Sequence, residues 1–245
     1  MQKLLNELVE RLKRAAGENL RSVVLYGSAT TSQFHEGHSD LNVMAVLGKL
    51  DAAALDALSR EAGWWQQQGH PGPMVFTEEE LRRSADLLAI ELLDIKTTGQ
   101  VLWGEDVLKQ ISVPMNLHRI QVERELAQAL IRLRQHYLAA GGSARSERRL
   151  LLASVSTFAV LFRHALLALG EPLARDRREA ISRLGALVGF DPAPFGALLD
   201  VREGKRKERE LDWESTFSRY LEGIERVARE IDRRLGEMTA PAAGH

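Results

Sequence analysis

The chain has 245 residues, of which 44% are hydrophobic and 27% are charged, and its formal net charge is −1. This composition excludes a disordered chain and allows one large globular domain or two modest ones. Cysteine is absent, which excludes disulfides, thiolate catalysis and cysteine-ligated zinc or iron–sulfur sites, so we expect a cytoplasmic protein.

The first 112 residues alternate helical and extended patterns. Leucines at helical spacing predict an opening helix that ends at Gly17, and a second helix between Asp51 and Gly69. Thr77 and Glu80 form a capping-box pattern that predicts the start of a third helix. Short apolar runs predict strands within 21–28, 40–47 and 72–77, and a final strand or strand pair in 89–96 and 101–104.

After residue 112 the extended patterns stop and long helical patterns follow, and Pro114 interrupts the chain where the change occurs. One of these segments, from Glu147 to Gly170, is apolar on nearly all sides, which predicts the central helix of a bundle. We therefore predict an α+β protein. A small mixed sheet flanked by helices would occupy residues 1–112, and an all-α bundle would occupy 113–240.

Charge is distributed unevenly between the two predicted domains. Residues 1–112 hold 11 Lys/Arg against 16 Asp/Glu, and residues 113–245 hold 22 against 18. An excess of four positive charges over the second half is too small to indicate nucleic-acid binding. We find no apolar run of the ~18–20 residues that a membrane helix needs, so no membrane association is expected either.

The stretch LYGSATTSQFHEGHSDLNVMAVL, residues 25–47, carries the chemistry. Gly27 lets main-chain amides approach a ligand closely, and Ser28 can start a short helical turn whose N–H groups attract phosphate. Asp40 and Asn42 are two residues apart in the predicted second strand, so they should share a face. Oxygen ligands beside a phosphate-holding turn suit phosphoryl or nucleotidyl transfer with Mg²⁺.

This arrangement resembles the signature of the DNA polymerase β-type nucleotidyltransferase superfamily. That signature is a hydrophobic strand, Gly-Ser or Gly-Gly, roughly ten residues, and then Asp-x-Asp or Asp-x-Glu. Here "GS" and "DLN" are separated by eleven residues. The superfamily includes aminoglycoside nucleotidyltransferases and small bacterial proteins with an appended helical bundle. The resemblance covers most of residues 17–106, and the helical half fits more loosely.

The resemblance implies a role for each residue of the motif. Gly27 and Ser28 would hold the triphosphate of an NTP, Asp40 would be the first Mg²⁺ ligand, and Asn42 stands in the place of the second. A third carboxylate is expected on a later strand, where Glu91 is the candidate and Asp94 the less favoured choice. The implied reaction transfers a nucleoside monophosphate to a hydroxyl of an unknown acceptor, bound in the cleft between sheet and bundle.

Asn42 leaves an alternative open. An amide oxygen can bind Mg²⁺ but brings no negative charge, so metal binding should be weakened and transfer could be slow or lost. The alternative is a catalytically inactive nucleotide- or partner-binding module of the same fold. A homodimer through the helical domain is a further possibility. The helices also resemble HEPN ribonuclease domains, but three residues separate Arg132 from His136, fewer than that activity uses, so RNA cleavage is not predicted.

Other residues near the motif have simpler interpretations. His35 and His38 could touch phosphate or metal, but histidines in a surface loop are commoner. Trp64 and Trp65 could stack on a nucleobase, but adjacent tryptophans at a helix end more often pack in a core or between domains.

Overall fold

The computed structural model describes residues 1–30 and 40–239. The chain divides into two compact units, Met1–Pro114 and Met115–His245. The domain boundary predicted after residue 112 stays a prediction.

The N-terminal unit contains the sheet and, in its described part, four α-helices. The helices are α1 (Gln2–Ala16), α2 (Ala52–Gln67), α3 (Glu78–Arg83) and α4 (Ala89–Thr98). The strands are β1 (Leu20–Tyr26), β2 (Asn42–Leu47), β3 (Met74–Thr77) and β4 (Gln100–Gly104), and short 3₁₀ turns occupy Gly17–Asn19, Gly27–Thr30 and Val107–Gln110. The helix start at Thr77 is confirmed, because Thr77 and Glu80 form the full capping box.

The four strands form one mixed sheet in the order β3-β2-β1-β4. Strand β1 is antiparallel to both β2 and β4, whereas β3 is parallel to β2, with α2 in the crossover between them. Side chains alternate between two buried faces. Val23 and Leu25 belong to a core with α1 and α2 residues, and Val24 belongs to a second core with α3 and α4 residues. The predicted α+β class is confirmed.

The C-terminal unit is helical throughout the residues that the structure describes. Its helices are α5 (Met115–Ala139), α6 (Ala144–Ala168), α7 (Arg177–Val188), α8 (Ala193–Arg202) and α9 (Trp213–Thr239). Helix α6 contacts each of the other four, so it occupies the centre of the bundle as its all-round apolar pattern predicts. Its rings Phe158 and Phe162 are fully buried with Phe195 and Tyr220.

Helix α6 is also the one described helix that is long and apolar enough to cross a membrane by length and composition. The expectation that no segment reaches this length was therefore too strict. Within the bundle 56% of its most apolar window is buried against the protein, and a core helix of this kind meets the same criterion without any membrane.

Two expectations about the sheet are wrong. Residues 89–96 form helix α4 and not a strand, and β2 begins at Asn42, two residues later than predicted. In α4 the buried positions Ala89, Leu92 and Ile95 recur every three residues. This spacing places them on one side of a helix, whereas a strand would alternate them between two faces. The periodicity of so short an apolar run fits either a helix or a strand. Packing against β1 and β2 selects the helix.

Candidate functional site

The site begins where β1 ends. Gly27 follows Tyr26 with a φ of 79°, a left-handed conformation that side chains other than glycine rarely adopt. The chain then turns through the 3₁₀ segment Gly27–Thr30, which the Thr30 hydroxyl closes by donating to the Gly27 carbonyl at 2.8 Å. Ser28 lies in this turn, and helix α4 contacts the turn.

Asn42, the first residue of β2, lies directly beside this turn. Asn42 pairs with Tyr26 across the antiparallel ladder, which brings its side chain to Gly27. A Cβ atom added to Gly27 would lie 3.0 Å from Asn42 Nδ2, a distance tighter than most real contacts. Two features therefore favour glycine at position 27: its left-handed backbone conformation, and the absence of a side chain that would crowd the Asn42 amide. The structure thus places the Asn42 amide beside the turn, and the roles of Gly27 and Asn42 in binding stay predictions.

Asp40 precedes β2 and is exposed to solvent. Side chains two residues apart share a face only where both residues lie in a strand. Asn42 lies in β2 and Asp40 does not, so this rule does not determine which face Asp40 is on. The prediction that both side chains face the same ligand stays a prediction. Asp40 nevertheless remains at the same edge of the sheet, because only Leu41 separates it from the start of β2.

His70 is the residue of this edge that sequence reasoning missed. It lies in the loop between α2 and β3, where the Leu41 N–H donates to its Nδ1 at 3.4 Å. Partial burial lowers the pKa of His70, and the Asp40 carboxylate opposes that shift with a smaller effect. The imidazole also packs on Trp65, with 4.6 Å between ring centroids. No local motif marks His70, since the parallel pairing of β2 and β3 is what brings it here.

Neither candidate for the third carboxylate lies on a strand. Glu91 lies on helix α4 and is exposed, and Asp94 lies on the same helix and is half-buried, so the expected strand position was wrong for both. None of the four described strands contains Asp or Glu. The role of Glu91 as a metal ligand stays a prediction, with the correction that α4, the helix packed on the Gly27–Thr30 turn, would supply it.

The remaining candidates divide into two groups. His35 and His38 lie outside the described residues. Trp65 is completely buried, and Trp64 packs against the same core with the Arg11 guanidinium 4.1 Å from its ring centroid, so both tryptophans make packing contacts.

The oxygen donors at this edge meet part of what Mg²⁺ requires. Among residues 1–30 and 40–239 no three His, Cys, Asp or Glu side chains are grouped to hold a metal ion. Mg²⁺ is nevertheless commonly bound by one or two carboxylates together with substrate phosphates. Asp40, with the Asn42 amide oxygen, therefore fits a single ion that arrives with a nucleotide. The described residues of this edge do not supply the number of carboxylates that a two-ion site requires.

Comparison with known proteins locates this fold. No family model matches the chain, and no curated protein sequence matches it significantly. Among solved structures, the spectinomycin adenyltransferase AAD(9) from Enterococcus faecialis, determined with ATP and spectinomycin, is similar at a TM-score of 0.56 and 12% identity. That similarity covers 95% of this chain and 99% of the other.

A toxin–antitoxin structure with AMP-PNP matches 41% of this chain and 73% of its own, at 21% identity. A mutant of the toxin–antitoxin MntA-HpeT matches the same shares at 20% identity. Both have a TM-score of 0.29, which is too low to indicate a shared overall fold. The AAD(9) similarity extends over nearly the whole length of both chains, and it shows that this chain has a nucleotidyltransferase-like fold.

Proposed function

We propose that this protein is a nucleotidyltransferase by class, which binds an NTP at the Gly27–Asn42 edge and transfers the nucleoside monophosphate to a hydroxyl acceptor. One observation carries the proposal: in a nucleotidyltransferase-like fold, the tight turn at Gly27 lies against Asn42, with Asp40 two residues away. We further propose that transfer is slow, because one amide stands where a second carboxylate would strengthen metal binding.

The chain's own residues would perform the following tasks. The Gly27–Thr30 turn would bind the triphosphate through main-chain N–H groups, and the Ser28 hydroxyl would add a donor. Asp40 and Asn42 would hold Mg²⁺, which supplies charge neutralisation of the phosphates when bound. An acceptor hydroxyl would need orientation close to the α-phosphate, and the AAD(9) structure with spectinomycin suggests a small polyhydroxylated molecule as the acceptor.

The experiment combines calorimetry with a transfer assay. Purified protein is titrated with ATP and with the other NTPs, with and without Mg²⁺, and then incubated with labelled NTP and aminocyclitol acceptors such as spectinomycin. We expect Mg²⁺-dependent binding and slow transfer. Asp40→Ala should abolish the dependence on Mg²⁺. The enzyme proposal would be rejected if the wild type transfers no nucleotide to any acceptor. It would also be rejected if any transfer observed is unchanged in Asp40→Ala.

Asn42→Asp is the sharpest variant. Restoring the second negative charge should increase Mg²⁺-dependent ATP affinity by about tenfold, since affinity for hard cations rises with the number of anionic ligands. Asn6→Asp is the matched control, because it adds the same charge on the exposed surface of α1 and should leave binding unchanged. A loss of affinity in Asn42→Asp would contradict the assignment of position 42 to a metal.

A second candidate function is a nucleotide- or partner-binding module without catalysis. The absence of carboxylates from the four described strands favours it. The two candidates differ in their metal dependence: ATP binding that ignores Mg²⁺ and does not change in Asn42→Asp would support the binding module, and the opposite pattern would support the transferase.

A further inference from the structure

Three large aliphatic side chains lie exposed on one face of helix α5. Ile120, Ile131 and Leu138 are 56%, 52% and 78% exposed, and the exposed Ala127 lies on the same face. The opposite face packs into the bundle through His118, Gln121, Val122, Leu126, Ala129, Leu130 and Leu133. A row of exposed aliphatic side chains bordered by polar residues is typical of an interaction surface.

Two exposed arginines complete this row. We call the row the α5 stripe, and its members are Ile120, Arg124, Ala127, Ile131, Arg134 and Leu138. Successive members are 4, 3, 4, 3 and 4 residues apart, which is the spacing with which two helices pack side by side in a coiled coil. At 1.5 Å per residue the α5 stripe is about 27 Å long.

The α5 stripe has the same pattern in both directions along the helix. Reversing its direction exchanges residues of the same kind: Ile120 with Leu138, Ala127 with Ile131, and Arg124 with Arg134. A two-fold symmetric interface uses the same patch on both subunits, so two antiparallel helices need a patch with this symmetry. A parallel pair does not need it. Antiparallel pairing also sets the helix dipoles in opposite directions, which is the favourable arrangement.

The arginines of the α5 stripe are compatible with contact between two copies, because each is paired within its own chain. Arg124 Nη2 lies 3.3 Å from Glu125 Oε1, and Arg134 Nη2 lies 2.7 Å from Glu225 Oε1. Antiparallel pairing sets Arg124 of one copy at the level of Arg134 of the other, and each arginine brings its own carboxylate, so no unpaired charge is covered. A shift by one heptad would set Arg134 against Ile131, so the arginines specify the register.

The geometry points to the α5 stripe as a self-association surface, on which a second copy of this chain docks its own α5 in antiparallel orientation. The two central layers each pair Ala127 with the larger Ile131, and the outer layers pair Ile120 with Leu138. One helix pair about 27 Å long and about 10 Å wide covers less than the ~800 Å² per partner of a standard interface, so the dimer should dissociate on dilution. This inference does not depend on the proposed nucleotide transfer.

Analytical ultracentrifugation of the full chain tests self-association, at protein concentrations from about 1 to about 200 μM. We expect the wild type to change from monomer to dimer over this range. Ile131→Glu should weaken association by about a hundredfold or more, because it places a carboxylate in both central layers. Leu55→Glu is the matched control, since Leu55 is 51% exposed on α2, and it should associate as the wild type does. Thermal unfolding of each variant checks that the fold is intact.

Introduced thiols test the orientation, because the chain has no cysteine of its own. Ile120→Cys and an affinity-tagged Leu138→Cys are mixed at high concentration and oxidised. Antiparallel pairing should give the mixed disulfide, whereas disulfides of each variant with itself would overturn the antiparallel arrangement. A wild type that stays monomeric at every concentration would overturn the inference and leave a different partner as the occupant of the α5 stripe. A dimer that Ile131→Glu leaves intact would overturn it as well.

Discussion

At the scale of single residues, the local sequence predicts some contacts at this edge of the sheet and misses others. The pattern of Gly27 and Asn42 is local to two adjacent strands, so its spacing alone predicts that they meet. His70 follows a helix and precedes a strand with no distinguishing pattern around it, and only the pairing of β3 with β2 brings it to Leu41. Residues joined by non-local pairing of this kind cannot be found from local sequence.

Gly27→Ala should damage both stability and binding. The left-handed backbone angle strains any side chain, and the new Cβ would crowd Asn42 Nδ2 at 3.0 Å. We expect a loss of about 1–2 kcal/mol in the free energy of unfolding, measured by urea denaturation, together with weaker ATP binding. Gly63→Ala is the control: it lies inside α2 with nothing near its added Cβ, so it should stabilise by about 0.5–1 kcal/mol. Equal effects of the two changes would refute the special role of Gly27.

A buried histidine pair links two helices of the C-terminal unit. His118 Nε2 and His164 Nδ1 lie 2.9 Å apart, and both side chains are completely buried. His118→Ala removes a buried hydrogen bond and leaves a cavity, so unfolding by denaturant should show a loss of about 2–4 kcal/mol. The exposed His136→Ala, on the same helix, should change stability by less than about 0.5 kcal/mol. A small effect at position 118 would mean that the pair contributes little.

At the scale of elements, periodicity predicts the long helices well and the short apolar segments poorly. Helix α6 is recognisable because its apolar pattern continues for 25 residues. The ten residues of α4 offer too few turns to separate a helix from a strand. What places Glu91 on a helix is the packing of Leu92 and Ile95 into the core formed with β1 and β2.

The helical assignment of α4 makes a stability prediction. Leu92 and Ile95 are 1% and 2% exposed and belong to the same buried cluster. Leu92→Ala and Ile95→Ala should therefore each cost about 2–4 kcal/mol in thermal or denaturant unfolding. Thr97→Ala, at an exposed position of the same helix, should cost less than about 0.5 kcal/mol. A small effect of both core changes would contradict the packing of α4 into this cluster.

Helix α9 contains a pH-dependent interaction. Hydrogen bonds from Arg233 and Arg234 lower the pKa of Glu230 to about 2. Because the folded-state pKa lies below the unfolded value of about 4.3, the stabilisation is complete above pH 4.3 and is lost as the pH falls through 2. The Glu230 side chain is 22% exposed and in contact with water, so we expect only about 0.5–1 kcal/mol. Glu230→Gln should remove this part of the acid sensitivity, as measured by unfolding between pH 2 and 6; an unchanged profile would contradict it.

At the scale of the whole molecule, composition and pattern correctly predict a mixed-sheet unit followed by helices. The charge difference between the halves is visible in the sequence as well. The order of strands in the sheet is not, because it depends on which strands pair and no short motif encodes the parallel β2–β3 contact. The similarity to AAD(9) at 12% identity extends this point, since the fold is shared where little of the sequence is.

The two compact units each have a buried core of their own, so each should fold alone. A fragment of residues 1–114 contains all four strands and both clusters that cover the sheet. We expect it to unfold cooperatively on heating and to retain the mixed helix–strand circular dichroism spectrum. A fragment with a random-coil spectrum would show that the N-terminal unit depends on the rest of the chain.

The contact between Trp65 and His70 offers a built-in optical reporter. An indole whose centroid is 4.6 Å from an imidazole emits light with a yield that depends on how that imidazole is oriented and hydrogen-bonded. Any molecule that engages His70 should thus alter the intrinsic fluorescence of the protein. Molecules that bind there can be screened by titration in a fluorimeter without a label, and Trp65→Phe identifies the signal by removing it.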